Sequence, residues 1–375
     1  MKKKFNRSLF FFAFLLLGLF FFAGNDFTTV YAEEPETQDI QNESSEPGEN
    51  TDDGSTTTDT TDTAEEPMEN VPEEQPEEPP ALTANPPDPV TEIYLNGQSG
   101  DDTNDGTSEQ SALKTFEKAK EFALSNPSIK TIWVLGQVNG SGELSLKGTN
   151  AILKRHGSYT GVVLNLIGNA TLSDITIDGN KDAITTDCDS LVVAKSCTLN
   201  IKDGTVIQNN TRTGSANPDS DNGGGLRADS STVYMTGGII QNNTAYWGAG
   251  VSLNSTTFNM SGGTIQNNHA LRNGGGIGMW NGSDKVSIAN ISDKALIQRN
   301  RSEAEGGGIS VGIHCASNSQ LILNMTGGTI QENESGASGG GIFVQAGFAG
   351  WQGIANISGG YIINNKMLAD GYGNN

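Results

Sequence analysis

From residue 130 onward the apolar side chains come in short runs of period two. TIWVLGQV, GVVLNLI, LSDITIDGN and SLVVAKSCTLNI are the first of them, and glycine or asparagine separates most runs. Alternation bounded by Gly and Asn predicts short strands joined by tight turns. Between Ser111 and Ser125 the spacing changes. Ala112, Leu113, Phe116, Ala119, Phe122 and Ala123 fall on one face of a helix. Ile93-Tyr94-Leu95 before it reads as a strand, and GDDTNDGTS at 100–108 as a turn.

The later strands repeat. Six stretches align: GTVIQNN, GGIIQNN, GGTIQNN, KALIQRN, GGTIQEN and GGYIINN. Two columns never vary within them. One holds Ile207, Ile240, Ile265, Ile297, Ile330 and Ile362; the other holds Asn210, Asn243, Asn268, Asn300, Asn333 and Asn365. A glycine-rich triplet alternates with this motif, at 223–225, 248–250, 274–276, 306–308 and 339–341. The unit is 25 to 33 residues long, and glycine this dense opposes helix by about 1 kcal/mol per residue. Units of this kind stack as coils, with equivalent residues about 4.8 Å apart. The predicted fold is all-β: a right-handed parallel β-helix of eight or nine coils, with the Ile column as an inward ladder. The Asn column is expected to supply left-handed turn residues whose amides bond from coil to coil. The glycines are expected at corners where a Cβ would clash.

An open stack exposes its core at each end, so the helix is predicted as an N-terminal cap within residues 91–129, and residues 130–375 as the coils. After Asn365 no further triplet or cap follows. The coils are therefore expected to be incomplete at the C-terminus, as in a truncated fragment of a larger surface protein, with the last Ile rung facing water.

Charge divides the chain. Residues 33–90 carry 19 acidic side chains, no Lys or Arg, and ten of the 12 prolines. Such a segment is expected to be a disordered tether. Ahead of it, Lys2, Lys3, Lys4 and Arg7 precede a run of about 15 apolar residues from Leu9 to Ala23, and Val30-Tyr31-Ala32 offers a cleavage pattern. Residues 1–32 thus read as a secretory signal peptide, with an uncleaved anchor as the alternative. The expected location is extracytoplasmic, secreted or at the cell surface, with no membrane span after cleavage. The net charge of −22 disfavours nucleic acid as a partner.

The alternation of glycine triplets with MTGGTIQNN-like strings resembles the pectate-lyase-like right-handed β-helix superfamily, and is similar to the repeats of polymorphic outer-membrane adhesins. The resemblance spans about residues 91 to 375. It implies a β-helix; members include both enzymes and binding proteins, so it does not by itself imply catalysis.

Sugar-cleaving sites need converging carboxylates, or an acidic metal cluster beside a base. On the strand after the triplets, the outward positions are Arg227, Ser252, Gly278, Ser310 and Phe343, then Asp229, Asn254, Trp280, Gly312 and Gln345. They contain one acid. In the turns, Arg299 aligns with Glu332 and Arg301 with Glu334, as solvated ion pairs would. Glu303 and Glu305 have no such partner in this register and are the catalytic candidates. Asp101, Asp102, Asn104 and Asp105 before Gly106 resemble half of a calcium loop, with a solvated turn as the alternative. Asp187 and Asp189 offer a weaker cation site. Cys188, Cys197 and Cys315 read as small buried hydrophobes, a Cys188–Cys197 bridge being the alternative. No cofactor fingerprint is present. Tyr246, Trp247, Trp280 and Trp351 are the candidate binding aromatics. Tyr246 and Trp247 are expected on the surface, where rings stack on sugars, against packing within the turn.

These features predict a rigid adhesin-like or scaffold module, contacting glycans or host and matrix proteins. A polysaccharide lyase or glycoside hydrolase is the alternative.

Overall fold

The computed structural model describes residues 88–214, 223–345, 347 and 350–368, apart from the side chains of Ile313 and His314. The chain divides into two units, Met1–Ala81 and Leu82–Asn375. The first unit lies outside the described residues, and with it the expected signal peptide and nearly all of the expected tether.

The second unit is an all-β parallel β-helix. Among the described residues every strand pairing is parallel, and each coil returns its strands onto those of the coil before. Glu92–Asn96 and Thr131–Gly136 open one stack. Eight coils follow among the described residues, the first formed by Val138–Ser145 and Ile152–Arg155. A later coil shows the full path: Ile277–Asn281, Val286–Ile291, Leu296–Gln298 and the two-residue strand Arg301–Ser302.

The isoleucine column is continuous and longer than the repeats reveal. Ile93, Ile132, Leu153 and Ile177 pair in register ahead of Ile207, Ile240, Ile265, Ile297, Ile330 and Ile362. From Ile93 to Ile330 these side chains are at most 1% exposed, and burying each one contributes about 2 kcal/mol. Neighbouring columns fit by size: Phe258 stacks between Val233 and Ala289, all three fully buried. Large against small keeps the interior at crystal-like density. In the final rung of the described residues, Ile357 and Ile362 are exposed.

The helix Phe116–Ser125 buries Phe116, Ala119 and Ala123 and lies against the first strands. It starts five residues later than the apolar spacing predicts. Leu113 is used in a bridge to Leu95, accepting from Asn96 N–H and donating to the Tyr94 carbonyl. Thr115 then caps the helix, its hydroxyl accepting from Lys118 N–H. Asn126, before Pro127, ends it.

The triplets and the asparagines fit each other. Gly306 sits at φ +68°, which any other residue would strain. At Gly308 a Cβ would lie 2.5 Å from the Gly341 carbonyl and 3.1 Å from the Asn333 amide nitrogen. The left-handed turn residue, however, is not the invariant asparagine. It is the residue before it: Asn209, Asn242, Asn267, Arg299, Glu332 and Asn364, all with φ between +53° and +59°. The invariant asparagine points inward instead.

Candidate functional site

The inward asparagines form a hydrogen-bonded ladder in which the side-chain oxygen of one coil serves the coil before it. Asn300 is typical. Its backbone N–H and its side-chain amide both donate to Asn333 Oδ1, at 2.9 and 3.0 Å, and the amide also reaches the Ile265 carbonyl at 2.9 Å. Its own Oδ1 accepts from Asn268 N–H and Nδ2. From Asn210 to Asn333 the ladder is buried, so each amide is satisfied where an unsatisfied one would cost about 1–3 kcal/mol. At its N-terminal end, Asn210 Oδ1 accepts from Arg155, a fully buried guanidinium that also donates to the Gly161 and Asp189 carbonyls.

A second ladder runs outside. Gln331, Gln298, Gln266 and Gln241 each donate to the glutamine one coil earlier, at 2.8 to 2.9 Å. The series ends where Gln208 donates to Asp178 Oδ2 at 2.9 Å. This column stands in five of the six aligned repeats and is the signal that sequence reasoning passed over.

The candidate acids are partnered, contrary to the alignment. Glu303 lies 2.6 Å from His269 Nε2 and accepts from Arg301 at 3.2 Å. Burial pushes its carboxyl up, but the bonds from Arg301 and His269 outweigh burial and hold it below the usual range. Glu305 accepts from Asn273 Nδ2 at 2.6 Å. These partners come from offsets within the turn, which column alignment does not reveal. Arg299 and Glu332 pair at 2.7 Å across one rung, as aligned. Arg301 and Glu334 are rung neighbours, but the guanidinium turns to Glu303.

The acidic loop near the start spends its oxygens internally. Asp101 accepts from Thr103 N–H and Oγ1, Asp102 from Lys114 N–H, Thr115 N–H and Thr115 Oγ1, and Asp105 from Thr107 and Ser111. Asn104 donates to the Ala112 carbonyl. The loop closes on itself and seats the helix cap. Among the described residues, no three acidic, His or Cys side chains gather as a metal site. Asp187 accepts from Gly214 N–H, and Asp189 pairs with Arg212.

The tryptophans are inside. Trp247, Trp280 and Trp351 are 6 to 7% exposed, which corrects the surface position expected for Trp247. Trp247 and Trp280 pack together, Tyr246 meets Trp247 edge-on at 4.8 Å, and Trp280 donates to Ser252 Oγ at 3.1 Å. Trp247 of the turn thus packs on Trp280, and the outward strand positions Ser252, Asp229 and Trp280 are buried rather than open. Cys188 and Cys197 are buried and unbridged. Burial pushes the Cys188 thiol up, with Arg155 acting the other way.

A cleft of about 480 Å³ lies on the turn side, lined by Arg299, Asn300, Arg301, Glu332, Glu334, Asn364 and Lys366. Its walls are the left-handed column and the first position of the two-residue strands, and the ladder forms its floor. In the earlier coils those wall positions hold Asn209, Asn242, Asn267, Thr211, Thr244 and His269. A shallower furrow of Ser and Thr side chains, including Ser196, Ser230 and Thr257, lies at another corner. Among the described residues no helix is long and apolar enough to cross a membrane. Compared with protein-family models, with curated proteins and with solved structures, the chain matches none.

Proposed function

We propose that this chain is a secreted or surface-held β-helical scaffold, non-catalytic, that contacts glycans or matrix proteins through its turn face. The resemblance to pectate-lyase-like repeats and the signal-like N-terminus support the location and the kinship. The observation that carries the reading is the commitment of the polar groups. Both amide ladders spend their hydrogen bonds within the rod, and Glu303, Glu305 and Glu332 are each held by a neighbouring side chain. A rod built this way resists deformation and presents fixed side chains at regular intervals.

A polysaccharide-cleaving enzyme is the second reading. It is favoured by Glu332 and Glu334 facing one cleft with Arg299, Arg301 and Lys366, since paired carboxylates beside cations are the groups such chemistry uses. The full chain incubated with uronate polymers and mucin-type glycans distinguishes the two. Binding without new reducing ends or unsaturated products is expected; product accumulating with time would overturn the scaffold reading.

A further inference from the structure

We infer that the turn-side cleft takes an extended glycan bearing a carboxylate on alternate sugars, of the uronate and N-acetylhexosamine type. The inference rests on the glycan-contacting reading above.

The cleft is where the repeat departs from its own rule. Four of the six left-handed turn positions hold asparagine, which tolerates that backbone; the other two hold Arg299 and Glu332. A left-handed conformation costs such residues about 1–2 kcal/mol. Local rules broken in adjacent coils, beside a cleft, mark a place kept for something other than stability.

The charges come in rungs. Arg299 and Arg301 occupy one coil, Glu332 and Glu334 the next, Asn364 and Lys366 the last. Cations therefore stand two rungs apart, about 10 Å at the strand spacing, with carboxylates between them. An extended β-linked glycan advances by close to one rung per sugar. A carboxylate on every sugar would set one against the glutamate rung. With carboxylates on alternate sugars, they meet Arg301 and Lys366, while the N–H and O–H groups of the intervening sugar donate to Glu334. Arg299 is engaged by Glu332, so it braces the wall. Arg301 is also paired, but through one nitrogen only and at 3.2 Å to Glu303 against 2.7 Å for Arg299 with Glu332. Its side chain is 46% exposed, and the rest of its planar fork suits a carboxylate.

The test is titration calorimetry on the full chain with three polymers: alternating uronate and N-acetylhexosamine, a homopolymer of uronate, and a neutral N-acetylhexosamine chain. The alternating polymer is expected to bind tightest, about tenfold above the homopolymer, with affinity falling as salt rises. Arg301→Ala and Lys366→Ala are each expected to weaken it about tenfold while the melting curve stays in place. Glu334→Lys should shift preference toward the homopolymer. If the unaltered chain prefers the homopolymer or the neutral chain, or if both alanine variants bind the alternating polymer unchanged, the inference is overturned and the glycan-contacting reading stands. Binding of none of the three overturns both.

Discussion

The guanidinium of Arg155 donates to the amide oxygen of Asn210 and so closes the asparagine ladder at its N-terminal end. The ladder's amide oxygens all point toward that end, so their dipoles sum to a negative pole where the cation sits. The outer glutamine ladder runs the other way, its amide nitrogens pointing toward Asp178. Each ladder is thus capped by a charge opposite in sign to the pole it presents, as helix ends are.

Arg155→Met is expected to destabilise the rod by about 2–4 kcal/mol, since Asn210 Oδ1 and the Gly161 carbonyl lose a buried donor. Urea unfolding measures it. An unchanged midpoint would mean that the cap contributes nothing.

At the outer ladder, Asp178→Ala should cost about 1–3 kcal/mol, because Gln208 and Asn209 both donate to that carboxylate. Asp178→Asn keeps an acceptor and should cost less. Thermal melts of the two variants give the order, and the reverse order would contradict the acceptor role of this side chain.

Neighbouring positions in one turn should differ sharply. Asn300→Leu removes a buried amide bonded above and below, and is expected to cost about 3–5 kcal/mol. Arg299→Asn loses an exposed ion pair but relieves a left-handed backbone, so its effect should lie within about 1 kcal/mol of zero. Equal effects would show that the inward and outward positions are misassigned.

Tyr159 sets an alkaline limit. Burial pushes its hydroxyl up to about 12, with Arg155 opposing and Asp189 adding, and the hydroxyl donates to the Val162 carbonyl. The unfolded tyrosine ionises near its ordinary value of 10.0. Above that value the unfolded chain has released a proton that the folded one retains. Stability from this group is therefore complete below pH 10 and declines as pH rises toward 12. Tyr159→Phe should flatten that decline in denaturant titrations across the window; an unaltered slope would assign it to other groups.

The coils were legible because the repeats align within one chain: the Ile and Asn columns show which side chains meet. The turn was misread by one residue. Four repeats carry a doublet of asparagines, and an Asn doublet alone does not tell which member takes the left-handed backbone. The informative strings are IQRN and IQEN, where the first member changes and the second does not; the position free to change is the exposed one. Trp247 was legible as a turn residue but not as a buried one, because its partner Trp280 arrives from the next coil. Glu303 looked unpartnered because alignment compares like columns, while His269 reaches it from a different one.

In-register stacking is tested most directly by disulfide trapping between coils, in a chain whose Cys188, Cys197 and Cys315 are replaced by alanine. Thr264 and Leu296 are partners on adjacent rungs, and Leu296 partners Thr329 on the next. Adjacent rungs lie about 4.8 Å apart, within disulfide reach, whereas two rungs at about 10 Å do not. Thr264→Cys with Leu296→Cys is expected to cross-link under mild oxidation, and Thr264→Cys with Thr329→Cys to remain as thiols. Cross-linking of the second pair, or of neither, would contradict the stacked register.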